Sequence, residues 1–220
     1  MGKSNSNNRT IFEPLSDVNR LVLASASSRR KQLLLQMGIK ADSIMPANID
    51  ESAFRNESPR LYAARLAKEK CLAISKLEPR AFIIGADTVV TAGTKIFPKA
   101  DSIEIARECM IQLSGRRHQV ITGVAVISPL GRLSTRLVTT RVKFKRLSDK
   151  ELEVYLGTYE WEGKAGGYAI QGVAGSFIDW INGSYTNVVG LPLYETKNLL
   201  EGLGWKWKPA HGKASTKSEF

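Results

Sequence analysis

The stretch Ala81-Phe82-Ile83-Ile84-Gly85-Ala86-Asp87-Thr88-Val89-Val90 decides the fold. Ala81 to Ala86 carries no charge and reads as a strand buried on both faces, with Asp87 directly at its carboxyl end. Upstream, Ser58-Pro59 supplies a cap and a first-turn proline for a helix running to about Leu77, rich in Ala and Leu, which Pro79 ends. Downstream, Asp101-x-x-Glu104 opens a helix to Leu113, and Gly115 sits where a C-cap glycine belongs. A buried strand between two helices is the signature of an α/β fold.

The same alternation continues outward. Arg20 to Ser25 is a second short buried strand, followed by a helix over Ser28–Met37, capped by Ser27 or Ser28 and stopped by Gly38. A further strand ends near Ala47. On the other side, His118–Ser128 and Leu133–Leu147 form a hairpin around Pro129-Leu130-Gly131-Arg132. In its second arm Val138, Val142 and Phe144 alternate with Arg141, Lys143 and Lys145, so one face is solvated. Ser148-x-x-Glu151 begins a short helix to Leu156, a glycine-rich loop covers 157–175, and a last helix spans Leu193 to Leu203. The expectation is an α/β domain over 19–205 with a mixed, twisted sheet and flanking helices. Residues 1–18 and the lysine-rich 206–220 read as mobile tails.

Composition narrows the function. The chain has 220 residues, 43% hydrophobic and 24% charged, which excludes collagen-like, coiled-coil and wholly disordered classes. Lys and Arg number 32 against 21 Asp and Glu, a net charge of +11 that calls for an anionic partner. Cys71 and Cys109 fall in helical stretches and imply no disulfide framework, which fits a reducing, cytoplasmic setting. His118 and His211 lie far apart with no zinc spacing, so any metal needs oxygen ligands. No apolar run approaches the ~20 residues of a membrane span. Met1-Gly2-Lys3-Ser4-Asn5-Ser6 fits the loose pattern for myristoylation at Gly2. The oligomeric state is left open, a homodimer being compatible with the chain.

Several segments could carry chemistry. Ser25-Ala26-Ser27-Ser28-Arg29-Arg30 joins the first strand to its helix, where free N–H groups, hydroxyls and guanidiniums can cradle phosphate. It reads equally as a serine cap and a basic turn. Asp87 can orient water or hold a divalent cation, or simply cap a local turn with Thr88. Asp50-Glu51 is a second acidic candidate, and two carboxylates with bound phosphates suit magnesium or manganese. Lys70 and Lys99 could each reach a triphosphate if they converge. Gly163 to Gly175 permits close backbone approach to a ligand but has neither Walker nor Rossmann spacing. Asn182-Gly183-Ser184-Tyr185 reads as a hairpin turn.

Together these blocks resemble the Maf family. Ser25-Ala26-Ser27-Ser28-Arg29-Arg30 is similar to its S-x-S-P-R-R, Arg65-Leu66-Ala67-x-x-Lys70 to R-L-A-x-x-K, and Gly85-Ala86-Asp87-Thr88-Val89-Val90 to G-A-D-T-V-V. Leu113-Ser114-Gly115-x-x-His118-x-Val120-x-Thr122-Gly123, Lys164-Ala165-Gly166, Ile170-Gln171-Gly172 and Gly183-Ser184-Tyr185-x-Asn187-Val188-Val189-Gly190-Leu191-Pro192-Leu193 follow in the family's order. The resemblance implies a Maf/ITPase-like fold with two lobes around a deep cleft. It implies hydrolysis of a nucleoside triphosphate between the α and β phosphates, giving a monophosphate and pyrophosphate, with a divalent metal, Mg²⁺ or Mn²⁺. By position, Asp87 would be the general base. Ser25, Arg30, Glu51, Lys70 and Lys99 would bind phosphates or metal, with Glu51 and Asp87 as the metal pair. The subgroup acting on dTTP and UTP is the most similar, with Arg29, Thr88 and Gln171 reading the pyrimidine; modified pyrimidine triphosphates are further candidates. Ser28, Pro98 and Gly163 depart from the family's pattern.

Two rivals stand beside this. The same chemistry could serve a purine or methylated base, or the basic charge could mark a non-catalytic binder of nucleic acid or of a division-related partner. The aromatics do not interleave as in a single-strand binder, so no stable nucleic-acid partner is expected.

Overall fold

A computed structural model of the chain describes residues 19–207. In chain order the elements are β1 (Leu21–Leu23), α1 (Ser28–Gln36), β2 (Ser43–Ile44), α2 (Pro59–Ser75), β3 (Phe82–Ala92), β4 (Lys95–Phe97) and α3 (Ile103–Leu113). They continue with β5 (Arg117–Ile127), β6 (Leu133–Phe144), α4 (Asp149–Leu156), a 3₁₀ turn over Val173–Phe177, β7 (Ile178–Asn182), α5 (Tyr185–Val189) and α6 (Leu193–Gly202). The expected tail over 1–18, the C-terminal one from 208 on, Gly2 and His211 lie outside the described residues. Lys206 and Trp207 belong to the folded unit: the Lys206 amide donates to Asn19 Oδ1, Asn19 Nδ2 donates back to the Lys206 carbonyl, and Trp207 packs against Trp205.

Seven strands form one mixed sheet in the order β2-β1-β3-β5-β6-β7, with β4 paired to β3. The strands β2, β1 and β3 run parallel to one another, and every other pairing is antiparallel. β3 does not stop before Asp87, as the apolar run alone indicated. It continues to Ala92 because Val89, Val90 and Thr91 also favour strand and pair with β5 throughout. On its other edge β3 pairs with β1 over 82–84 and with β4 over 90–92. Between those pairings the sheet forks, and residues 85–89 face the opening. The fork is the physical origin of the cleft between two lobes.

Local chemistry explains most boundaries. Ser27 caps α1, Ser58 caps α2 with Pro59 in the first turn, and α4 carries the complete Ser148/Glu151 capping box. α3 starts one residue later than expected: Ser102, not Asp101, is its cap, accepting from the Ile105 amide, while Glu104 remains in the first turn. The Asn182–Tyr185 stretch is not a hairpin turn. It ends β7 and starts α5, with Ser184 Oγ accepting from the Asn187 amide. Gly183 passes so near β6 that a Cβ there would lie 2.8 Å from Thr140 Oγ1.

One core packs α1 and α6 against one face of the β1 side of the sheet, and α2 fills the opposite face. The second lobe closes α3, α4 and the glycine-rich loop around Phe144, Tyr155 and Trp161. His118 is buried there, its ring edge-on to Phe144 and Tyr168, with Nε2 sharing a 2.8 Å hydrogen bond with the Tyr168 hydroxyl. Burial pushes His118 down from 6.5 to about 4. The unfolded chain therefore binds a proton between those values that the folded chain refuses, so stability is complete above pH 6.5 and falls as pH drops toward 4. The loss attributable to His118 is about 3 kcal/mol, from the same 6.5-to-4 displacement. Denaturant unfolding from pH 7 to pH 4 should show this slope, and His118→Phe should flatten it; an equal slope in the variant would assign the effect elsewhere.

Candidate active site

The sheet fork is filled by side chains from both lobes. α2 comes down on β3 and β5 at two glycines: a Cβ at Gly85 would lie 2.4 Å from the Ala67 carbonyl oxygen, and one at Gly123 2.3 Å from that of Ala63. Gly123 is the direct cross-strand partner of Asp87. Ala63, Ala67 and Lys70 share one helix face at i, i+4 and i+7. Small residues on both sides thus bring the helix close enough for Lys70 to meet Asp87, with Nζ donating to Oδ1 at 2.7 Å. Both side chains are about 8% exposed.

Lys70 also binds Glu51, Nζ to Oε1 at 2.6 Å, and Lys99 reaches the other Glu51 oxygen at 2.9 Å. Partial burial disfavours ionised Glu51, but hydrogen bonds from Lys70 and Lys99 outweigh it and hold the acid at about 2, so it is ionised at neutral pH. The two carboxylates are therefore clasped by one buried ammonium. Lys99 is delivered by a strap after β4, tied to the glycine-rich loop through Ala100 N–H to the Lys164 carbonyl at 3.0 Å and Gly166 N–H to that of Pro98 at 2.9 Å. Pro98 donates nothing in this strap, so its presence in place of glycine leaves the pairing intact.

Strand alternation turns Thr88 to the opposite face, where Arg30 waits. Arg30 donates from Nε to the Gly190 carbonyl at 2.7 Å, from Nη1 to Ser25 Oγ at 3.0 Å and from Nη2 to Thr88 Oγ1 at 3.1 Å. Thr88 is itself held by Thr122, and Thr122 donates to the Asn187 carbonyl. Gly190 adopts a φ of 124°, which a side chain would resist, and this aims its carbonyl at Arg30. Burial lowers the Arg30 guanidinium, opposed by the Asp87 and Glu51 charges.

These groups line a cavity of about 430 Å³ whose walls carry Arg29, Arg30, Lys70, Lys99 and Lys164 against only Glu51 and Asp87. Burial and then the neighbouring Arg30 lower Arg29, and burial and then Arg29 lower Lys164. Cations that depress one another in a cleft form a site for a multiply charged anion. A smaller cavity of about 240 Å³ shares Glu51, Asp87 and Lys99, so the acids are reached from both sides of the strap.

Of the sequence-derived candidates, Ser25, Arg29, Arg30, Glu51, Lys70, Asp87, Thr88 and Lys99 all converge on the larger cavity. Gln171 does not join its wall and is exposed. Its neighbour Ile170 takes the inward place against both cores, which turns Gln171 toward solvent. Sequence reasoning missed Lys164, Tyr168 and Gly190 as cleft residues. Lys164 lay in a stretch whose glycines drew attention to backbone freedom, and no local pattern marks Gly190 as an arginine acceptor. Among the described residues no three His, Cys, Asp or Glu side chains gather as a metal cage. The Glu51 and Asp87 carboxylates, which share the Lys70 ammonium, are the oxygen ligands that would hold a divalent cation such as magnesium or manganese. The arrangement can hold a polyphosphate, place an ionised acid beside it, and do so without reorganising.

The chain is 54% identical over 186 residues to a dTTP/UTP pyrophosphatase of Caulobacter vibrioides, covering 84% of this chain and 96% of the relative. It is 52% identical to a dTTP/UTP pyrophosphatase of Mesorhizobium japonicum, covering 87% and 95%. One from Rhodospirillum rubrum is 51% identical, with coverage of 84% and 89%. Among solved structures, the Ham1 protein of Staphylococcus aureus superposes with a TM-score of 0.41 at 14% identity, over 57% of this chain and 71% of that one. Residues 20–203 match the Maf-like protein family along almost the whole described chain, and the chain belongs to that family.

Proposed function

We propose that this chain hydrolyses dTTP, UTP and modified pyrimidine triphosphates between the α and β phosphates, releasing the monophosphate and pyrophosphate. The observation that carries the reading is the buried Lys70 ammonium clasping Asp87 and Glu51 inside a cavity whose other charged lining residues are all cations. The similarity to relatives named for dTTP and UTP supports the choice of base.

In this reading the triphosphate enters the cationic cavity and draws Lys70 and Lys99 from the carboxylates to its own oxygens. Arg30 cannot follow, because Ser25, Thr88 and the Gly190 carbonyl fix it, so it presents a preorganised charge to the phosphate chain. Asp87, released from Lys70, orients a water and takes its proton as the oxygen attacks the α-phosphorus. Glu51 and Asp87 would hold a divalent cation, which supplies charge neutralisation on the phosphates when bound. Thr88 acts through Arg30, Arg29 faces the substrate from the mouth of α1, and Gln171 is not needed for cleavage. Buried free thiols at Cys71, pushed up to about 12 by burial, and Cys109 suit a reducing compartment such as the cytoplasm. Among the described residues no helix is long and apolar enough to cross a membrane.

A panel of ordinary and modified triphosphates with magnesium or manganese tests the reading. Pyrophosphate released in equal amount to the monophosphate, fastest from dTTP and UTP, is the expected result. Orthophosphate as the first product, or steeply salt-sensitive oligonucleotide binding with no hydrolysis, would overturn it.

A further inference from the structure

Glu51 lies on a segment without regular secondary structure between β2 and α2, so nothing in the sheet fixes its position. Among the described residues its carboxylate is held only by Lys70 and Lys99, the two cations that an incoming polyphosphate competes for. The segment is fastened to α2 by a second set of contacts that bypass that carboxylate. Tyr62 Oη donates to the Glu51 carbonyl at 2.7 Å. Arg65 Nη2 donates to the Ser52 carbonyl at 2.9 Å, and its Nε and Nη2 grip the Glu57 carboxylate at 2.7 Å each. Glu57 in turn accepts from the Phe54 amide at 3.1 Å, and the Phe54 ring lies 3.9 Å from the Arg65 guanidinium carbon.

This is more than a solvated ion pair. The Arg65 and Glu57 side chains are only 15% and 7% exposed, the geometry is a two-pronged fork, and hydrogen bonding to Glu57 raises the guanidinium further. An exposed pair contributes little; a sheltered fork that also holds a backbone carbonyl fixes a loop in one place.

We propose that Arg65 and Tyr62 are positioning residues that latch the 50–57 loop to α2, so that Glu51 keeps its place while its carboxylate exchanges lysine partners for the substrate complex. The proposal rests on Glu51 belonging to the site described above. Tyr62 and Arg65 lie on the same helix as Lys70, so the latch sets the Glu51 backbone and Lys70 in one rigid frame. The carboxylate can therefore change partners without the loop moving.

The test combines loop mobility with a double-mutant cycle. Tyr62→Phe, which deletes one hydroxyl, and Arg65→Gln should speed hydrogen exchange of the 50–57 amides about tenfold and lower kcat for UTP roughly ten- to a hundredfold, with KM changed less than about threefold. Arg65→Lys keeps the charge but loses the fork and should recover only part of kcat. In a Glu51→Gln background the same two substitutions should lower kcat less than about twofold, because the group they position is already disabled. An equal loss in both backgrounds, or an intact kcat with a loosened loop, would overturn the latch while leaving Glu51 in the site. Full turnover by Glu51→Gln alone would remove Glu51 from the site and the latch proposal with it.

Discussion

Asp87→Asn is expected to lower turnover ~100- to 10,000-fold while leaving triphosphate binding within a few-fold of the wild type. The amide keeps the shape of the acid, and Lys70 retains its bond to Glu51, so the local frame has no reason to collapse. Binding falls to the cations of the cavity wall, of which only Lys70 contacts Asp87, and that contact is one the triphosphate itself replaces. What disappears is the carboxylate proposed to take the proton of the attacking water, because an amide oxygen is not a base at neutral pH. Steady-state kinetics with UTP, paired with equilibrium binding of a non-hydrolysable analogue, separates the two effects. Wild-type turnover in the variant would remove Asp87 from the mechanism.

The second large effect is structural in origin and catalytic in outcome. Gly85→Ala places a methyl 2.4 Å from the Ala67 carbonyl oxygen and 2.9 Å from the Cys71 amide nitrogen, both backbone atoms that cannot step aside. α2 must lift from the sheet, at a cost of about 1–3 kcal/mol for overpacking. At roughly 2–4 °C per kcal/mol for a domain of this size, the midpoint of thermal unfolding should fall by several degrees. Lifting α2 also withdraws Lys70 from Asp87 and moves the Glu51 anchors at Tyr62 and Arg65, so turnover should fall further than stability explains. Gly202→Ala, where a Cβ meets nothing within 4 Å, is the matched control and should change neither. An unaltered melting point together with normal turnover in Gly85→Ala would mean that the close helix-to-sheet approach is not what builds the site.

The sequence made the alternation of strands and helices plain because each element carries its own local signal. The apolar run at Ala81–Ala86, the Ser58-Pro59 start and the Ser148/Glu151 capping box are readable over a few residues. The elements that escaped notice are those that long-range pairing creates. β4 exists because Lys95–Phe97 folds back on Val90–Ala92, β7 because Ile178–Asn182 finds the free edge of β6, and five-residue α5 because Ser184 caps it against Thr140. The sheet fork is likewise invisible in one dimension, since it depends on β1 and β4 sharing one edge of β3 without meeting. For the site, residue type and order were enough to nominate Asp87, Glu51, Lys70, Lys99 and Arg30. Their distances were not legible, because Glu51 meets Lys70 from an irregular loop that Tyr62 and Arg65 bind through its backbone carbonyls, and Arg30 is fixed by a carbonyl 160 positions away. Gln171 shows the limit of the same reasoning: it stands in a matching motif, yet the inward packing of Ile170 turns it to solvent.

The central claim is that water, prepared by Asp87, attacks the α-phosphorus of a nucleotide held by the cavity's cations. Hydrolysis of UTP in water enriched with heavy oxygen, followed by mass spectrometry of both products, tests it most directly. Label in the monophosphate and none in the pyrophosphate is the predicted result. Label in the pyrophosphate would place the attack on the β-phosphorus and contradict the geometry assigned to Asp87.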